Sequence, residues 1–181
     1  MLEEKSKKKI EDIKIGWIDE VQNIFGNVNS EKVTINTSEY SKSTAYIISA
    51  AETSSNLSKY DGIRYGHRAE NATTWQEVYS KTRQEGFGYE VKKKIIAGTY
   101  FTDAENMENY YRKADKIRTL IKQEMKEVFT KIDILAIPAN SKEVILANLT
   151  GRPAITVKGI TLIGDFFKEE SLIEFVQETL V

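Results

Sequence analysis

The stretch SSNLSKYDGIRYGHR, residues 54–68, gathers three serine hydroxyls, two tyrosines, two arginines and the only histidine of the chain. Residues of these types do nucleophilic chemistry when a histidine takes the proton of a serine and a carboxylate orients the histidine. His67 is the one imidazole available, and a lone histidine in a polar loop reads more simply as a turn or surface residue than as a general base. Asn56, Asp61, Gly62 and Gly66 suit a helix exit followed by turns, while Tyr60 and Tyr65 suit amphipathic anchors, so the stretch is explicable without catalysis. A Ser-x-x-Lys pair occurs once, as Ser6 and Lys9 inside a lysine run that accounts for it by composition. No HExxH, no calcium-loop spacing and no second imidazole is present, so the expectation is no metal site. Neither GxGxxG nor GxxxxGK[ST] occurs, and no two glycines are adjacent, so no phosphate-cradling loop and no cofactor are expected. Tyr110, Tyr111 and Arg112 resemble a base-stacking platform, but beside Met107 and Ala114 at helical spacing they read as core.

The elements that must position these residues belong to one ordinary domain. At 181 residues the chain is long enough for a single core and short for two, and 40% apolar residues fit a globular protein. No run approaches the roughly 18 consecutive apolar residues of a membrane span. The start, MLEEKSKKKIED, lacks the apolar segment of a secretory signal and reads as a flexible charged terminus over residues 1–12. The absence of cysteine removes disulfides and thiolate chemistry and fits a reducing compartment, a cytoplasmic or organellar matrix address. A net charge of −1 gives no global attraction for nucleic acid, so no direct nucleic-acid binding is expected, and no membrane contact.

Apolar spacing predicts short strands at 13–18 and 32–36 and again at 132–137, 153–157 and 160–164. Between them it predicts a helix over 38–57 with Ser38 as N-cap and a stripe of Tyr46, Ile47, Ala50 and Ala51. The capping box Thr74/Glu77 opens a second helix with inner face Trp75, Val78 and Tyr79, broken at EGFG. A third helix sets its lysines against Val91, Ile95 and Ile96. A second box, Thr102/Glu105, predicts the longest helix, with Met107, Tyr110, Tyr111, Ala114, Ile117, Leu120, Ile121, Met125 and Val128 facing the sheet. A last helix is expected over 168–180. The pattern is that of a single α/β domain over residues 1–181, a mixed sheet with packed helices.

Four segments carry a resemblance: AYIISAAETSSNLSKYDGIRYGHRAE (45–70), SKTRQEGFGYEVKKKIIAGTYF (80–101), YYRKADKIRTLIKQ (110–123) and ANLTGRPAITV (147–157). In this order they resemble the C-terminal half of the A subunits of aspartyl/glutamyl-tRNA amidotransferases, which are amidase-signature proteins. The likeness covers most of the chain from Lys14 onward. It implies a partial amidase-signature α/β/α sandwich and a B-type partner subunit. In that family the A subunit hydrolyses glutamine, and the ammonia serves an ATP-dependent carbon–nitrogen ligase reaction that forms Gln-tRNA(Gln) or Asn-tRNA(Asn) in protein biosynthesis.

The departures from the family pattern matter more than the match. The family's Ser, bridging Ser and Lys belong to a segment that the resemblance places before these residues, so no catalytic residue is assigned here. Carried over through the matched motifs, the family's glutamine-pocket tyrosine falls on Ala45, its arginine on Lys94 and its aspartate on Ser141. Lysine for arginine loses the planar fork for a carboxylate, and serine for aspartate loses the anion for an ammonium. No substrate-binding residue is therefore expected, and the chain is expected to be inactive alone. Two readings stay open: a truncated or split A subunit whose catalytic N-terminal half lies on another polypeptide, and a non-catalytic pseudoenzyme that docks a partner. Tyr60, Tyr65 and Phe87, aromatic and close to arginines, are the candidate partner contact.

Overall fold

The computed structural model describes residues 12–19, 21 and 28–180, and the basic amino-terminal run lies outside the described residues. The chain divides into two compact units, Met1–Lys42 with Ile117–Val181, and Ser43–Lys116.

The first unit is built on a five-stranded sheet of β1 (Ile15–Trp17), β2 (Ser30–Lys32), β3 (Ile134–Pro138), β4 (Ala154–Val157) and β5 (Ile160–Gly164), in the order β2-β1-β3-β5-β4. β1 runs parallel to β2 and to β3, whereas β5 is antiparallel to both β3 and β4, so the sheet is mixed. β3 and β5 read ILAIP and ITLIG, runs apolar enough to be covered on both faces, and every residue of β5 is buried. β4 alternates exposed and half-buried residues, as an edge strand does. A two-residue turn joins β4 to β5, with Lys158 at φ 47° and Gly159 at φ 81°, both in the left-handed region that such tight hairpins require. The amphipathic helix α6 (Glu169–Thr179) buries Leu172, Phe175 and Val176 in one cluster with Ile15, Ile134, Ala136 and Leu162.

Two local readings of the sequence change here. The strand expected at 32–36 is β2, two residues earlier, because its register is set by parallel pairing of Ser30 with Ile15 and of Lys32 with Trp17. Val33 closes the ladder by donating to Trp17 O, and the chain then enters a 3-10 turn at Asn36–Tyr40. Ser38 lies inside that turn and caps no helix. α1 (Ser41–Leu57) begins at Ser41, whose hydroxyl donates to Ser38 O at 2.6 Å. A short helix not anticipated, α5 (Ile145–Thr150), follows β3 and stops at Gly151, which takes φ 73° as its left-handed cap.

The long amphipathic helix is α4 (Tyr111–Val128), which starts nine residues after the expected Thr102. Thr102 is instead the last residue of α3 (Tyr89–Thr102), and its hydroxyl donates back to Gly98 O at 2.9 Å. The carboxyl-terminal part of α4 buries Ile121 and Met125 completely. Leu120, expected on the same face, is 53% exposed. At 100° per residue, positions 117, 121, 125 and 128 cluster within about 40° of one line, and 120 falls about 100° away.

In the second unit α1 and α3 cross at Gly98, where a methyl group would lie 2.0 Å from Ala50 O. Ser54 and Thr99 share a hydroxyl hydrogen bond of 2.9 Å beside that contact. α2 (Trp75–Gly86) has the expected N-cap, Thr74 Oγ1 accepting from Glu77 N, while the Glu77 carboxylate reaches back to Thr73 N–H and Oγ1. Its buried residues are Val78 and Thr82, and Trp75 and Tyr79 stand 69% and 42% exposed, contrary to the expected inner face. Tyr46 and Ile96 are likewise exposed, although Ala50 and Ala51 of the same α1 stripe are buried.

Glu124 of α4 closes the 3-10 turn of the first unit. Burial alone would push its carboxyl up. Hydrogen bonds from Thr37 Oγ1, Thr37 N–H, Asn36 N–H and Asn36 Nδ2 outweigh that and hold it below the ordinary carboxylate range. A carboxyl depressed in the folded state stabilises above its unfolded pKa and loses that contribution as pH falls through the folded value. The stability difference between the wild type and Glu124→Gln should therefore be constant above about pH 5 and shrink below the ordinary glutamate pKa of about 4.3. Urea midpoints measured from pH 7 to pH 3 check this, and a difference that widens on acidification would contradict it.

Candidate functional site

The polar stretch after α1 is held by a frame that its own sequence does not contain. Asp61 Oδ1 accepts from the N–H groups of Ile63 and Arg64, and these bonds hold its carboxyl below the usual range. Gly62 at φ 77° lies against Thr82, where a methyl group would meet Thr82 Oγ1 at 2.3 Å. That hydroxyl accepts from Ala69 N–H at 3.0 Å, so a single residue of α2 pins both ends of the turn. Arg83, also on α2, donates from Nη1 to Leu57 O at 2.9 Å and to Tyr60 O at 3.3 Å, placing a cation on the carbonyl end of α1. Its guanidinium lies 5.1 Å from the Tyr79 ring centroid and 5.0 Å from that of Phe87.

The residues nominated as a partner contact separate within this frame. Tyr60 and Phe87 are half-buried and pack edge to face at 6.4 Å. Tyr65 is 59% exposed, as is its neighbour Ile63. His67 pairs through Nε2 with Glu85 Oε2 at 2.7 Å, both side chains about half exposed. The hydroxyls near it are committed locally: Ser58 to Ser55 O, Ser54 to Thr99. The geometry supplies a surface histidine–carboxylate pair rather than a serine lined up with a base. Among the described residues no group of three His, Cys, Asp or Glu could hold a metal ion.

Of the three positions that the resemblance carries over as a glutamine pocket, Ala45 and Lys94 lie on α1 and α3 of the second unit, both half-buried. Ser141 belongs to the first unit and N-caps the short 3-10 turn Lys142–Val144. Its hydroxyl is hydrogen-bonded to the Glu143 carboxylate and also accepts from Glu143 N–H. Glu143 is 7% exposed and takes a further bond from Ser38 Oγ at 3.3 Å, so Ser141 works as a fastener for a buried carboxylate. Also in the first unit, Arg152 is sandwiched between Phe129 and Phe166, 4.6 and 4.4 Å from their centroids, and donates to Asp165 Oδ1 at 3.1 Å. Burial pulls its guanidinium below the ordinary value, against the opposing pull of Asp165. Neither Arg83 nor Arg152 stood out in the sequence. The one signal available was an arginine among aromatics within a few positions, as in Tyr79–Arg83–Phe87.

Comparison with known proteins bears on the fold and the family. Among the described residues no helix is long and apolar enough to cross a membrane. The glutamyl-tRNA(Gln) amidotransferase A subunit of Listeria innocua is 38% identical over 182 aligned positions, covering 82% of this chain and 38% of that protein. The corresponding A subunit of Macrococcus caseolyticus is 40% identical over 171 positions, covering 78% of this chain and 36% of that protein. The chain thus spans well under half the length of the curated relatives it matches. The crystal structure of the Thermotoga maritima glutamyl-tRNA(Gln) amidotransferase A subunit superposes with a TM-score of 0.53 at 24% identity, over 88% of this chain and 40% of that one. A bacterial aryl acylamidase of the amidase signature family gives a TM-score of 0.60 at 13% identity, over 93% of this chain and 44% of that one. The family model for amidase matches residues 23–163, and with the sheet order and the ordered motifs this establishes that the chain belongs to the amidase family.

Proposed function

We propose that the chain is a scaffold portion of an amidotransferase A subunit of the glutamyl-tRNA(Gln) type, without hydrolytic chemistry of its own. The observation that carries this reading is the ordered match to amidotransferase A subunits over 82% of the chain; the positions that the resemblance carries over as the glutamine pocket bear on what the chain does alone. Ala45 presents no hydroxyl, Lys94 replaces a bidentate fork by a point charge, and the Ser141 hydroxyl is already committed to Glu143. Residues 1–181 hold no Ser-Ser-Lys set of the amidase type. Any hydrolysis by an assembly containing them takes its nucleophile from elsewhere, upstream in a longer chain or on a second polypeptide.

The same substitutions favour a second reading, a pseudoenzyme that docks a B-type subunit or a separate catalytic half through the exposed surface at Ile63 and Tyr65. Co-expression with a polypeptide carrying the Ser-Ser-Lys segment separates the two. Restored glutamine hydrolysis supports the first reading, and a stable but inactive complex supports the second.

For the chain alone the expected result is no ammonia release from glutamine or asparagine above a heat-killed control. Millimolar glutamine is also expected to leave Tm unchanged, because a ligand raises Tm only by binding the folded state. Turnover that a single Ser or Lys substitution in this chain abolishes would overturn the proposal.

A further inference from the structure

We draw no further inference here: the strongest candidate, the uncharged outer edge of strand β4 in the first unit, where Ala154 and Thr156 are exposed and β5 pairs on one side only, carries nothing because nothing in the structure shows what covers it.

Discussion

Replacing Gly98 by alanine will destabilise the unit Ser43–Lys116 by on the order of 3 kcal/mol, even though alanine is the better helix former by about 1 kcal/mol. The added methyl would stand 2.0 Å from Ala50 O, 2.5 Å from Ala50 C and 2.8 Å from Ser54 Cβ. Two of these three atoms are helix backbone, which cannot swing aside as a side-chain tip can. The crossing must open instead, parting the Ser54–Thr99 hydrogen bond and the Tyr46–Phe101 ring contact at 6.2 Å. Gly88, at the amino end of the same helix, has nothing within 4 Å of the place a methyl would take and serves as the control, because Gly88→Ala should shift the urea midpoint little. Equal midpoints for the two variants would show that α1 and α3 do not meet as closely as described.

The same crossing shows what the sequence could and could not disclose. GTYFT in α3 reads as helix by continuity with the preceding lysines, but nothing in the string marks Gly98 as a contact rather than a weak point. Its partner Ala50 is 48 residues away, and only the fold brings the two backbones together. Arg83 was missed for the same reason, since the carbonyls it caps lie 23 and 26 positions upstream. Strands β3 and β5 were legible because full burial demands unbroken apolar runs, whereas β2 is an exposed edge whose three residues carry no side-chain signal and whose position follows from backbone pairing alone. The false capping box at Thr102 is instructive in another way. A threonine followed three residues later by glutamate satisfies the helix-start pattern, but the same hydroxyl can donate to the preceding turn of a helix that is ending, and here it does. At the candidate site, motif order identified the family, and Ala45, Lys94 and Ser141 could be named only as departures from the pocket that the resemblance implies; that Ser141 is fastened to Glu143 required coordinates.

Helix α4 offers the sharpest test of how apolar periodicity converts to burial. Ile121 and Leu120 are adjacent, similar in volume and both apolar, and the expected stripe included both. Ile121 is 0% exposed and Leu120 53% exposed. Truncating Ile121 to alanine removes about three buried methylene equivalents and leaves a cavity beside Met125, which is also fully buried, so the expected loss is about 2–5 kcal/mol. Truncating Leu120 removes carbons already half in water, and alanine's slightly better helix propensity offsets part of that loss, leaving an expected change within about 0.5 kcal/mol. The comparison is made between neighbours on one helix, so effects on the unfolded chain largely cancel and the difference reports packing. Urea denaturation of the full chain followed by far-ultraviolet circular dichroism should give a clearly lower midpoint for Ile121→Ala, with Leu120→Ala close to wild type and similar slopes for all three. Midpoint shifts of equal size would mean that the inward face of α4 is rotated by about 50° from the one described, and the burial of Met125 would then be wrong as well.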